Sequence, residues 1–132
     1  MEEKKLYSRK AIIIATFFFG PFLTGLLMRT NFINLNKKRF GTIAFVIGCL
    51  YSLLLHIVIF AISDEMFEKL PNTLIPFINA ILAYYLIETY QGIDLNNCKK
   101  NNKHFISAWK VAAICTIYMI VLIGSIVIYV YI

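Results

Sequence analysis

Charge is what this sequence has little of. Only 15% of its 132 residues are charged, 60% are hydrophobic, and the mean hydropathy is +0.74. A soluble domain carries roughly a quarter charged residues and about half apolar ones, so that class is excluded. The deficit is local, with no Asp, Glu, Lys or Arg in 11–28, 40–63, 70–87 or 111–132. Each stretch offers the ~17 residues that a helix needs to cross a ~30 Å hydrocarbon core. An unpaired peptide group in hydrocarbon costs several kcal/mol, so a spanning segment is a helix or part of a closed barrel. Barrel strands alternate apolar and polar residues, whereas these runs are apolar on every face. The expected fold is all-α, a polytopic helical membrane protein forming one domain over 1–132. Its hydrophobic segments are about 11–28, 41–62, 74–90 and 111–132, three or four of them spanning.

Reactive constellations are also lacking. Cys49, Cys98 and Cys115 lie far apart with no CxxC or Cys/His spacing, which reads as reduced, structural thiols and no metal. No G-x-S-x-G, H-E-x-x-H, P-loop or paired carboxylates occur. Neither an enzyme nor a cofactor is expected, and no residue is nominated as catalytic. Acidic residues number 7 against 13 Lys and Arg, for a net charge of +6. The basic residues cluster beside the ends of apolar runs, where they set orientation and meet anionic headgroups. The lipid bilayer is therefore the expected partner, and nucleic acid is not.

Gly20-Pro21 stands in the middle of the first apolar run, AIIIATFFFGPFLTGLLM. Pro21 lacks an N–H and crowds the carbonyl of Phe17, so a helix kinks or breaks there. Two arrangements follow, a kinked spanning helix and a re-entrant turn that enters and leaves on one side. The basic lead-in MEEKKLYSRK is followed by no A-x-A-like cleavage site and no lipobox cysteine, which points to an uncleaved first segment. If all four segments span, Arg29, Lys37, Lys38, Arg39, Lys99, Lys100, Lys103 and Lys110 share one side. Lys4, Lys5, Arg9, Lys10 and Lys69 then share the other. If the first segment re-enters, Lys69 alone stays outside, a stronger positive-inside bias. Both arrangements put the connections 29–39 and 91–110 in the cytoplasm and the protein, multi-pass, in the cytoplasmic (inner) membrane.

Few polar groups fall inside the apolar runs. His56 and Asn79 come at similar depth on adjacent segments, and a His56–Asn79 hydrogen bond is expected between them. Glu88, near the cytoplasmic end of its segment, is expected to reach the interface or pair with a loop lysine. Ala44, Gly48, Ser52 and His56 recur every four residues, and the first three form a small-residue stripe suited to close helix packing. Asp64 or Asn72 is placed to cap a helix start. Phe105 and Trp109, with Tyr129 and Tyr131, are placed as aromatic belts.

The run FFFGPFLTGLLMRTNFINLNKKRFGTIAFVIG resembles a pattern in small uncharacterised bacterial integral membrane proteins. There an apolar run holding Gly-Gly-Pro precedes Asn-Phe, a basic loop and a glycine-containing helix. Gly20, Pro21, Gly25, Asn31, Phe32 and Gly48 fit that outline, as does Trp109 before the last helix, while Phe19 stands where the first glycine would be. The resemblance implies a topology and no activity.

The function expected on these grounds is a non-catalytic membrane subunit or accessory protein. It would act through helix–helix contacts with a protein partner or with itself. An immunity protein against a membrane-acting toxin is a specific version. An oligomeric transporter or channel component, with His56, Asn79 and Glu88 lining a path, is the alternative.

Overall fold

A helix that begins at Arg9 stops at Phe19, and a second begins at once at Pro21. Gly20 between them has φ 89°, a left-handed backbone that suits glycine alone. Its N–H closes the first helix on the Thr16 carbonyl, and Pro21 starts the next at the position where a missing N–H costs nothing. The computed structural model describes residues 4–132, and among them every regular element is a helix. In order these are α1 (Arg9–Phe19), α2 (Pro21–Asn34), α3 (Lys38–Ala61), α4 (Asp64–Glu68), α5 (Leu74–Lys100) and α6 (Ala108–Tyr131).

α1 and α2 form a hairpin. The Tyr7 N–H donates to Asn31 Oδ1 at 2.7 Å and the Asn34 amide donates to the Lys5 carbonyl at 2.7 Å. The entrance of α1 and the exit of α2 are therefore side by side. Near the tip, Thr16 and Thr24 bond across the hairpin at 2.5 Å. Thr16 gives its proton to the Ile12 carbonyl, which leaves Thr24 as the donor between the two.

Two helices, α3 and α6, are long and apolar enough to cross a membrane, and the four-span arrangement is not supported. The first segment is divided into helices of 11 and 14 residues, roughly 16 and 21 Å at 1.5 Å per residue. Neither reaches across a ~30 Å core. α5 has the length, 27 residues, but its second half carries Glu88, Asp94, Lys99 and Lys100.

The connections differ from the sequence expectation as well. Residues 29–39 are mostly helical, with a tight turn from α2 into α3, and α5 runs straight through Gln91 to Lys100. The same device ends both helices. Asn36 (φ 62°) and Asn102 (φ 52°) take the left-handed conformation. Lys37 N–H then reaches the Phe32 carbonyl and Lys103 N–H the Cys98 carbonyl, the Schellman closure in which Asn replaces the usual glycine. Asp64 opens α4, and Thr73 rather than Asn72 precedes α5.

The core surrounds the hairpin. Ile12 and Ala15 of α1, Leu23 and Leu27 of α2, Ile87 and Leu95 of α5, and Val111 and Cys115 of α6 are buried together. α2 lies along α3, while α1 faces α5 and α6. The long helices pack on the hairpin rather than on one another.

Candidate functional site

Two features lie where the hairpin meets the long helices. The first is a buried polar knot. Asn31 and Gln91 are almost wholly removed from solvent, so each amide must find partners or cost about 1–3 kcal/mol per unmet group. All are found. The Asn31 amide accepts from the Tyr7 N–H at 2.7 Å and donates to the Tyr7 carbonyl and to Gln91 Oε1, both at 3.1 Å. Gln91 Nε2 donates to the Met28 carbonyl at 3.0 Å. The Asn31 side chain thus pairs with residue 7 as a neighbouring strand's peptide would. Burial also pushes the Tyr7 phenol above its ordinary pKa.

A half-exposed ion pair borders the knot, Arg9 Nη2 to Glu88 Oε2 at 2.8 Å, with Asn96 Oδ1 at 3.4 Å from the same nitrogen. Lys37 Nζ meets Asp94 at 2.9 Å, tying the start of α3 to α5. Beside these lies a polar cavity of about 880 Å³, lined in part by Lys4, Lys5, Asn34, Asn97, Asn101 and His104.

The second feature is an apolar groove of about 470 Å³, floored by α2 and walled by α3 and α5. The floor exists because two glycines let the helices meet. A Cβ built on Gly48 would lie 3.0 Å from the Gly25 Cα, and one on Gly25 would lie 2.9 Å from the Ala44 carbonyl oxygen. Tyr51 on α3 donates to Asn79 Oδ1 on α5 at 3.1 Å and closes one end of the groove. The Lys37–Asp94 pair bridges the same two helices beyond the other end.

The sequence-nominated residues fall as follows. Ala44 and Gly48 face α2 of the same chain, while Ser52 is half-buried and its carbonyl oxygen accepts from His56 Nδ1 at 2.7 Å. His56 is exposed and its recorded contact is within its own helix, so the expected His56–Asn79 bond gives way to Tyr51–Asn79. Equal depth does not place two side chains on facing sides of their helices. Glu88 pairs with Arg9, not with a loop lysine. Gly20 and Pro21 form the hairpin tip. His56, Asn79 and Glu88 have three different sets of partners and do not converge. Among the described residues no group of three His, Cys, Asp or Glu side chains comes together.

No known protein family, curated protein or solved structure matches this chain.

The sequence expectation places Gln91 in a loop, gives Arg9 only a share in the charge that sets sidedness, and gives Tyr7, Thr16 and Thr24 no part. A signal for Gln91 was present. Asn79, Ala83, Ile87, Gln91 and Leu95 recur every four residues and are all buried on α5, a stripe that continues past the end of the apolar run. Tyr7 carried no such signal, because its backbone rather than its side chain makes the bonds.

Proposed function

We propose that this protein is a multi-pass component of the cytoplasmic membrane and works without catalysis. It acts as a subunit or accessory of a larger assembly through the outward faces of its helices. The observation that carries the reading is how little of the apolar helices the chain itself covers. Only Gly41 and Gly48 of α3 are buried, and only Val111 and Cys115 of α6. A soluble protein would bury such faces in its core; in hydrocarbon they are at home.

Connectivity supports a particular topology. α3 begins beside Asp94, and α6 begins just after Ile106, whose N–H donates to the Leu6 carbonyl. Both helices thus start at the end of the molecule where the hairpin opens. If both cross, the chain must return between them, and α5 is the segment that does so. The reading is three crossings around a re-entrant hairpin. Of the 13 Lys and Arg, all but Lys69 belong to the hairpin's open end, which the positive-inside tendency assigns to the cytoplasm.

Two experiments test this. In a cysteine-free background, Ser8→Cys and Thr30→Cys should both resist a membrane-impermeant thiol reagent on intact cells, while Ser63→Cys is labelled. Labelling of only one of the first pair would sink the hairpin topology. Photo-crosslinking residues at Leu54 and Ile123, on exposed faces of α3 and α6, should give a discrete protein adduct in native membranes. Adducts to lipid alone, with nothing co-purifying, would sink the subunit reading. A toxin as the captured protein would identify the immunity version. The transport reading has less support, since its path residues do not face a common space.

A further inference from the structure

We propose that the groove between α3 and α5 holds one acyl chain of an anionic phospholipid from the cytoplasmic leaflet, with its phosphate gripped by Arg39. This rests on the membrane reading above, and four observations carry it further.

The groove excludes a polar occupant. Inside it, Thr24 is bonded to Thr16 and the Tyr51 hydroxyl to Asn79, and the exposed Tyr90 lines only the end nearest Phe40. The rest of the lining is aliphatic or aromatic, with Ile43, Ile47, Leu82 and Leu86 among it.

Shape suits one extended chain: the groove offers about 470 Å³ in a slot bounded by α2, α3 and α5.

Length matches one leaflet. The α3 wall runs from Phe40 to Tyr51 and the α5 wall from Tyr90 to Asn79. That is eleven steps on each, roughly 16 Å, against about 15 Å for half of a ~30 Å hydrocarbon core. The Tyr51–Asn79 bond falls at the far end, where a chain would stop.

Charge supplies the last observation. Arg39 is exposed and sits one turn before Ile43 on the groove-lining side of α3. Among the described residues no ion pair is recorded for it, whereas neighbouring Lys37 is held by Asp94. A guanidinium fork one residue before Phe40, the first groove-lining position of α3, is suited to a phosphate with two oxygens free to accept.

The test replaces Trp109, the only tryptophan, by Phe and reports from Leu86→Trp inside the groove, with Leu50→Trp on the exposed outer flank of α3 as control. The protein is placed in phosphatidylcholine vesicles containing phosphatidylglycerol, with bromine on the acyl chains of one lipid or the other. One basic residue near an anionic lipid should favour phosphatidylglycerol about fivefold at Leu86→Trp relative to the control. Arg39→Gln should abolish that preference. Equal ratios at both positions, or a preference that survives Arg39→Gln, would overturn the proposal. Quenching at the control but none at Leu86→Trp would overturn it while leaving the membrane reading intact; no quenching at either would overturn both. As a measurement independent of the reporters, native mass spectrometry of the unaltered protein should retain one phospholipid per chain through delipidation, and Arg39→Gln should lose it. No retained phospholipid on the unaltered protein counts against the proposal.

Discussion

The two ends of this molecule are held together differently. At the basic end, the lead-in, α1, α2, α5 and the entry to α6 are cross-linked by the Asn31–Gln91 knot, the Arg9–Glu88 and Lys37–Asp94 pairs and the Leu6–Ile106 backbone bond. At the other end, α3 beyond Tyr51 and α6 beyond Cys115 have no buried residue. On the membrane reading proposed above, the difference follows from what a bilayer demands. Apolar side chains need no burial in lipid, but every backbone polar group needs a partner. Uninterrupted helices such as the outer parts of α3 and α6 meet that demand unaided. The hairpin tip does not, because a turn at Gly20-Pro21 leaves backbone groups without helical partners. Irregular backbone at membrane depth is tolerated only inside protein, and the hairpin is ringed by α3, α5 and α6. The fold therefore encloses its irregular tip with protein, while its hydrogen bonds and ion pairs gather at the basic end, where its polar side chains are.

Substitutions can break that contrast, and the largest effect is expected where α2 meets α3. Gly48→Leu must push against the Gly25 backbone at 3.0 Å and the Pro21 carbonyl at 3.3 Å. Backbone cannot step aside as a flexible side chain can, so a loss of about 3 kcal/mol or more is expected. A thermal unfolding midpoint in detergent that stays unchanged would show that the two helices do not need this contact.

Next comes the knot. Asn31→Leu strands the Tyr7 N–H and Gln91 in a buried setting and should cost about 1–3 kcal/mol. Adding Gln91→Leu should cost less than the sum of the two single changes, since it removes a group already unsatisfied. Strict additivity in a double-mutant cycle would mean that the two amides are not coupled.

Removal of the bordering ion pair should matter less. Arg9 and Glu88 are 31% and 44% exposed, and pairs with that access to water are worth about 0–1 kcal/mol. Glu88→Gln should therefore leave stability nearly unchanged; a drop comparable to that of Asn31→Leu would place the pair in a far drier setting.

At the far end, Ile126→Ala on the exposed face of α6 should change the stability of the isolated protein by less than about 0.5 kcal/mol. Its effect should appear only in capture of a partner by crosslinking. A large intrinsic loss would erase the contrast between the two ends.

The all-helical class was legible because it depends on composition and run length alone. The break at Gly20-Pro21 was legible because proline's missing donor is a covalent fact about one position. What the sequence could not say is which way the chain went after the break. That is decided by a backbone–side-chain pairing across 24 positions, Tyr7 with Asn31, for which neither residue type is a marker. The polar half of α5 read as a loop because polarity in a membrane sequence marks exit from lipid, and a helix can leave lipid without ending. The stripe at Ala44 and Gly48 said that a helix approaches closely; only the fold decided that the helix is α2, the element immediately before it. Depth along an axis can be counted from residue number, which is why the sequence pairs Asn79 with His56. Azimuth and neighbour cannot be counted, because they depend on how separate helices pack, and packing made that partner Tyr51 rather than His56.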